Sequence, residues 1–482
     1  MPNDFNRRAM LRFSALAGAG ALTAPLWAAG PADASARARS AAQARSAGAG
    51  SRGGPRSVAD QAADRIVAAV QRPRFARRVF PVTRFGGVGD AATDCTAAFA
   101  AAISACHAAG GGHVTVPAGT FFTGAIHLLS HVDLHLEQGS TILFSQDPNA
   151  YLPVVFTRWQ GIELMNYSPP IYCYGQRNVA ITGQGVLDGQ ADANHWWNWK
   201  SLETADFTLL ETMADNAVPV AQRVFGAGHF LPPQMIQPFS SENVLIQGVT
   251  VQNSPFWHLN PNLCRNVTVE GITVNSSGPN TDGCDPESCD GVVIDGVTFN
   301  TGDDCIAIKS GRDTDGRRIG VPCQNVVIQN CDFANGHGGI TVGSEMTGGV
   351  RNVYARDLTM NSANLAAGHR IKTNSLRGGF VENTNVYRID AGTIGGPVLL
   401  IDANYNAQTG DFPPAVTDIN LTGWTVADAA EGWQIAGEPT DPIGTVTLTD
   451  VTIATATGPN TATDISDLVL DNVTINGVAV TS

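Results

Sequence analysis

A chain of 482 residues with 43% hydrophobic and 15% charged side chains and 52 glycines is too apolar for a disordered protein and too glycine-rich for a helical one. A turn-rich β core is expected, and length alone does not demand two domains, because a solenoid carries this many residues around one core. The formal charge of −14 argues against nucleic acid as a partner, and no segment after residue 34 reaches the roughly 20 apolar residues of a bilayer crossing.

In chain order, Arg7-Arg8, an uncharged Ala-rich run over 13–29 and the small residues Ala32-Asp33-Ala34 resemble a secretory signal of the twin-arginine type over 1–34. A general secretory signal is the alternative. The mature protein is expected to be exported, to the periplasm or the medium, and to be monomeric. Residues 35–78 hold ten arginines against Asp60 and Asp64, and read as a flexible basic linker with a short helix over 58–71. Residues 79–482 carry 16 basic and 39 acidic residues and are expected to form a single domain. Nine cysteines leave at least one unpaired; Cys284/Cys289 and Cys323/Cys331 are the close pairs that an oxidising compartment could bridge, and Cys264 and Cys305 read as small core residues. No Cys-x-x-Cys unit suggests zinc, and no cofactor or metal is expected.

The Ala-rich amphipathic stretch over 93–109 ends at Gly110-Gly111-Gly112 and precedes a strand over 113–117, so it is placed as a helix covering the open first coil of a solenoid. From there the chain repeats itself. Segments starting at Asn243, Asn266, Asp290, Asn325 and Asn352 share one Val/Ile pattern at steps of 23, 24, 35 and 27 residues, each followed by a second short apolar segment. That period predicts an all-β parallel β-helix. The long step carries an insertion over 312–322, expected as a loop. A longer excursion over 190–231 contains Trp196, Trp197 and Trp199, which suit either stacking on sugar rings or a local mini-core that pins the loop.

Four motifs recur at corresponding points of successive coils, in or just after the second strand segment: Asn280-Thr281-Asp282, Gly302-Asp303-Asp304, Gly336-His337-Gly338 and Arg370-Ile371-Lys372. Taken singly each has a plainer explanation, as a turn, a calcium ligand pair, a structural histidine or a solvated strand face. Stacked at about 4.8 Å per strand, they place three acids, an imidazole and two cations in one cleft. Three carboxylates in contact cannot all ionise cheaply, so at least one should keep a proton while the others orient and deprotonate water. That division of labour cleaves a glycosidic bond, with acid and base about 6.5–9.5 Å apart if the anomeric centre is inverted. Arg370 and Lys372 suit a substrate carboxylate, which points to a uronic acid polymer.

These blocks, in this order, resemble glycoside hydrolase family 28, the polygalacturonases, over about residues 85–420. The resemblance implies a right-handed parallel β-helix and inverting hydrolysis of α-1,4-linked galacturonan, in pectin, polygalacturonate or oligogalacturonate. It implies Asp303 as general acid, Asp282 and Asp304 as activators of water, and His337 as the residue that tunes or positions the acid. Arg370, Lys372, Asn280 and Tyr405 are implied at the substrate. The context from Gly343 to Gly349 is similar to the bacterial exo-acting branch, in which added loops close one end of the cleft, and the 190–231 excursion is placed to do so. An elimination of the pectate lyase type and a non-catalytic glycan-binding β-helix are the alternatives. Because a domain this acidic repels a polyanion, a local basic site is expected from Arg370 and Lys372 with Lys309, Arg312, Arg317 and Arg318.

Overall fold

The computed structural model describes residues 57–481; the expected export signal and the basic stretch through residue 55 lie outside them. From Val79 the chain winds as a parallel β-helix, and among the described residues 26 strands join one sheet. The predicted repeats stack in register, with Val244, Val267, Val292, Val326 and Val353 forming one inward row. These rows fuse into one continuous apolar core.

The corners explain the asparagines. Asn178, Asn243, Asn266, Asn325, Asn352 and Asn383 have φ between 54° and 57°, a left-handed turn that the short amide tolerates. Their side chains bond from coil to coil, Asn266 donating to Asn243 at 2.9 Å and Asn383 to Asn352 at 2.8 Å. Gly291 fills the gap in this row, and the neighbouring Asp290 carboxylate accepts from Asn325 at 2.7 Å.

Helix α1 (Val58–Ala69) does not stand off the body as part of a linker. It buries Ala63 against Val327, Tyr354 and Tyr387 on the outer face of the central coils, and Asp60 and Asp64 pair with Arg356 at 3.1 and 2.8 Å. Helix α2 (Thr96–Ala108) covers the first coil as expected. Its start is held by Asp94, which accepts from the Thr96 amide at 2.9 Å, and its buried face is Ala98, Phe99, Ala102, Ile103 and Cys106, at helical spacing. A Phe99→Ala truncation there would cost about 3–5 kcal/mol.

All nine cysteines are free and buried, so neither sequence-adjacent pair bridges. The reason is geometric: Cys284, Cys289, Cys323 and Cys331 are all buried in the core, and Cys264 and Cys289 precede the paired residues Arg265 and Asp290, so the coil above or below supplies the neighbour.

The excursion over 190–231 is built, not loose. It contains helix α3 (Glu203–Asp215), and Trp196 and Trp199 are buried with Tyr151, Tyr167 and Ala191, while the Trp197 indole donates to the Ser254 carbonyl at 2.9 Å. The mini-core reading of the tryptophans therefore holds. Leu210 and Ala214 of α3 pack on a hairpin, Val155–Trp159 with Ile162–Asn166, that the repeat pattern did not reveal. The insertion over 312–322, expected as a loop, carries helix α4 (Asp313–Ile319), fastened where Arg223 meets Asp315 at 3.0 Å.

Candidate active site

A third strand in each central coil positions the chemistry. Ile306–Ile308, Gly338–Val342, Ala367–Lys372 and the end of Phe380–Asp402 lie side by side, with Ile306, Ile340, His369 and Leu399 in one row. Arg370 and Lys372 sit on this third strand rather than in or just after the second, as the spacing suggested. Asp303 and Asp304 occupy the turn entering it, and the Gly283 amide donating to the Asp304 carbonyl at 2.9 Å brings Asp282 alongside. Gly338 is required by this closeness, because a Cβ there would lie 2.6 Å from an Asp304 carboxylate oxygen.

All eight sequence-predicted residues meet. Asp282, Asp303 and Asp304 each present an oxygen within 4.8 Å of the others. Lys372 Nζ donates to Asp304 at 2.7 Å, and Arg370 lies 3.7 Å from its second oxygen. His337 Nδ1 is 3.3 Å from Asp303, with the imidazole 54% and the carboxylate 25% exposed. The Asn280 amide faces Asp303 at 3.5 Å, and the Tyr405 ring stands 5.6 Å from Lys372 Nζ and 5.9 Å from the Arg370 guanidinium. A carboxylate triangle of this size has the spacing of a cation site, and Lys372, Arg370 and Lys309 of the chain itself border it.

Protonation divides the acids, though not as the sequence suggested. Burial, together with the Asp285 and Asp303 carboxylates, pushes Asp282 well above the ordinary carboxylate range, and burial pushes Asp285 to about 8. Burial also acts on Asp303, but the hydrogen bond to His337 and the charge of Lys372 outweigh it and hold Asp303 low. The same contact raises His337. These shifts favour the protonated form of the inner Asp282–Asp285 pair and of His337, and the ionised form of Asp303.

Asp285, Glu345 and Trp257 escaped sequence reading; they surround Lys309, which the expected basic site included. Lys309, 3% exposed, lies 3.1 Å from Glu345, 3.6 Å from Asp285 and 3.9 Å from Asp282, under the Trp257 ring at 4.3 Å. Glu345 is held well below its ordinary range because Lys309, Arg312 and Arg377 overcome the effect of burial. A cavity of about 290 Å³ is lined by Asp282, Asp303, Lys372 and Tyr405 together with Lys200, Glu203 and Phe207 of the excursion. The expected basic site is smaller than predicted. Lys309 and Arg312 line the cavity but are matched by carboxylates, whereas Arg318 pairs with Asp315 and Glu163, and Arg317 donates to the Leu376 and Arg377 carbonyls. The one sequence signal for this inner set was the rarity of lysine, since the chain has only Lys200, Lys309 and Lys372, and all three line the cavity.

A parallel β-helix with three carboxylates, an imidazole and paired cations gathered beside a sugar-sized cavity defines a glycoside hydrolase. A model of glycosyl hydrolases family 28 matches residues 227–478. The chain is 30% identical to a probable polygalacturonase of Vitis vinifera over 406 residues, covering 80% of this chain and 77% of that one. It is 26% identical to an exo-poly-α-D-galacturonosidase of Dickeya chrysanthemi over 445 residues, 84% of this chain and 68% of that one. Its fold superposes on the crystal structure of a hyperthermoactive exopolygalacturonase from Thermotoga maritima with a TM-score of 0.83 at 39% identity, covering 88% of this chain and 97% of that chain. The chain belongs to glycosyl hydrolases family 28. The matched segment starts after α3, so the lining residues Lys200, Glu203 and Phe207 lie outside it.

Proposed function

We propose that the enzyme hydrolyses α-1,4-galacturonosidic bonds of polygalacturonate from a chain end, with inversion. The observation that carries this reading is the carboxylate triangle bordered by Arg370 and Lys372 beside a cavity that the 190–231 excursion helps to line. A galacturonate carboxylate entering between those two cations competes with Asp304 for Lys372. Asp304, released from the ammonium, is then free to hydrogen-bond the water and accept its proton. At the rim, covering by substrate disfavours the separated charges of His337 and Asp303, so the proton passes from imidazolium to carboxylate. Asp303 next donates it to the glycosidic oxygen as the C–O bond breaks, while the water oxygen bonds to the anomeric carbon and its proton goes to Asp304. Asp282, its own proton turned toward Asp285, orients that water.

The 4.8 Å triangle is tighter than the 6.5–9.5 Å anticipated for inversion. It suits instead one water hydrogen-bonded to two carboxylates at once, since two bonds of about 2.8 Å meeting tetrahedrally span roughly 4.6 Å. Incubation with polygalacturonate tests the whole reading: reducing ends should rise with monomer as the early product and β as its first anomer. An unsaturated, ultraviolet-absorbing product would mean elimination, a ladder of oligomers would mean internal cleavage, and an α product would mean retention.

Among the described residues no helix is long and apolar enough to cross a membrane. Export is proposed from Arg7-Arg8 and the apolar run that follows. Replacing both arginines by lysine should leave the enzyme inside the cell; undiminished export would remove the twin-arginine route.

A further inference from the structure

We propose that Lys200, carried by the excursion, binds the carboxylate of the terminal galacturonate where the excursion lines the cavity, an assignment that rests on the exo reading above. Lys200, Glu203 and Phe207 follow one another at steps of three and four residues through the turn into α3, so they share one face, and that face lines the cavity. Glu211, one turn on, reaches Arg312 on the cavity floor at 2.9 Å, while Phe207 lies under the Arg312 guanidinium at 4.7 Å. The buried tryptophans Trp196 and Trp199 and the Arg223–Asp315 pair fix this wall in place.

Charge accounting singles out Lys200. Lys309 is surrounded by Asp282, Asp285 and Glu345, Arg312 lies between Glu345 and Glu211, and Lys372 is bound to Asp304. Each of these cations is less than one-tenth exposed. Lys200 has one partner, Glu203 at 2.7 Å, and is 48% exposed. Glu203 is itself buried and fixes the direction of the ammonium. The orientation of the substrate follows from the acids: Asp303 and His337 are at the open side and Asp282 and Asp304 inside, so the leaving chain lies outward and the sugar under attack lies inward. With Arg370 and Lys372 given to the carboxylate of the neighbouring galacturonate, the exposed cation left to meet the carboxylate of the inner sugar is Lys200. A cavity of about 290 Å³ lies at the small end of ligand sites, which suits a single sugar.

Product inhibition tests this. With trigalacturonate as substrate, free galacturonate should inhibit the wild-type enzyme far better than galactose, the same ring without the carboxylate. Lys200→Met should weaken galacturonate inhibition and raise KM about 10- to 100-fold, the range of a charge-assisted hydrogen bond, with kcat changed much less. Galactose inhibition should stay as it was, and Lys200→Arg should retain most of the discrimination. Loss of inhibition by both sugars alike would show that Lys200 only braces the wall, and unchanged galacturonate inhibition would remove it from the site; either result overturns the assignment. A wild-type enzyme inert on trigalacturonate would instead sink the functional reading beneath it.

Discussion

The inner floor and the outer rim of one cleft treat a proton in opposite ways. On the floor, Asp282 and Asp285 are buried with only Lys309 to share, and desolvation plus mutual repulsion wins: both are raised. At the rim, Asp303 faces His337 in partial contact with solvent, and the cation wins: Asp303 is lowered and His337 raised. Carboxylates a few ångströms apart acquire different tasks not from their own chemistry but from how many cations each can reach before burial takes its toll.

The rim can be broken outright. Asp303→Asn should lower kcat about 10⁴-fold, some 5 kcal/mol in the barrier, with the melting temperature unchanged; residual activity near wild type would remove Asp303 from the proton path. The floor breaks differently. Lys309→Met leaves Asp282, Asp285 and Glu345 without their common cation and should destabilise the fold by about 3 kcal/mol or more, read by denaturant unfolding.

Two further experiments sharpen the contrast. His337→Ala should cost about 10- to 100-fold in kcat, and the alkaline limb of kcat/KM, expected above the ordinary imidazole value of 6.5 because Asp303 raises His337 in the free enzyme, should shift. An unmoved limb would show that the histidine carries no proton for the reaction. On the floor, Asp285 has a folded pKa of about 8 against an ordinary value of 3.8. A raised pKa adds stability that is full below the ordinary value and is lost as pH climbs through the folded one. Thermal stability should therefore decline between about pH 4 and pH 8, and Asp285→Asn should flatten that decline. The smallest effect belongs away from the cleft: Arg356→Gln, which loosens α1, should cost about 1 kcal/mol or less without touching kcat.

The fold was legible because a solenoid writes each coil into the sequence at short range. Val244, Val267 and Val292 face the same way for the same local reason, and the asparagines mark each corner. The eight cleft residues were legible for a related reason, since stacking turns a spacing of one coil into contact. What the repeat could not convey were features made by departures from it. Glu345 and Asp285 gain their roles from Lys309, a pairing across coils with no periodic signature. The hairpin under α3, and the way the tryptophans of the excursion pack, depend on segments far apart in sequence. Protonation was the least readable property: the same three carboxylates could share a proton in several ways, and the cations that decide among them are placed by the fold.

Helix α1 shows what this winding means for order of assembly. It is the first described helix of the chain, yet its ion pairs reach Arg356 and Arg388, 296 and 328 residues further on from Asp60. Until the central coils have been synthesised and stacked, α1 has nothing to hold, so an element made at the start docks among the last. Its attachment marks completion, and a protease that cuts only undocked α1 would tell finished molecules from those still winding.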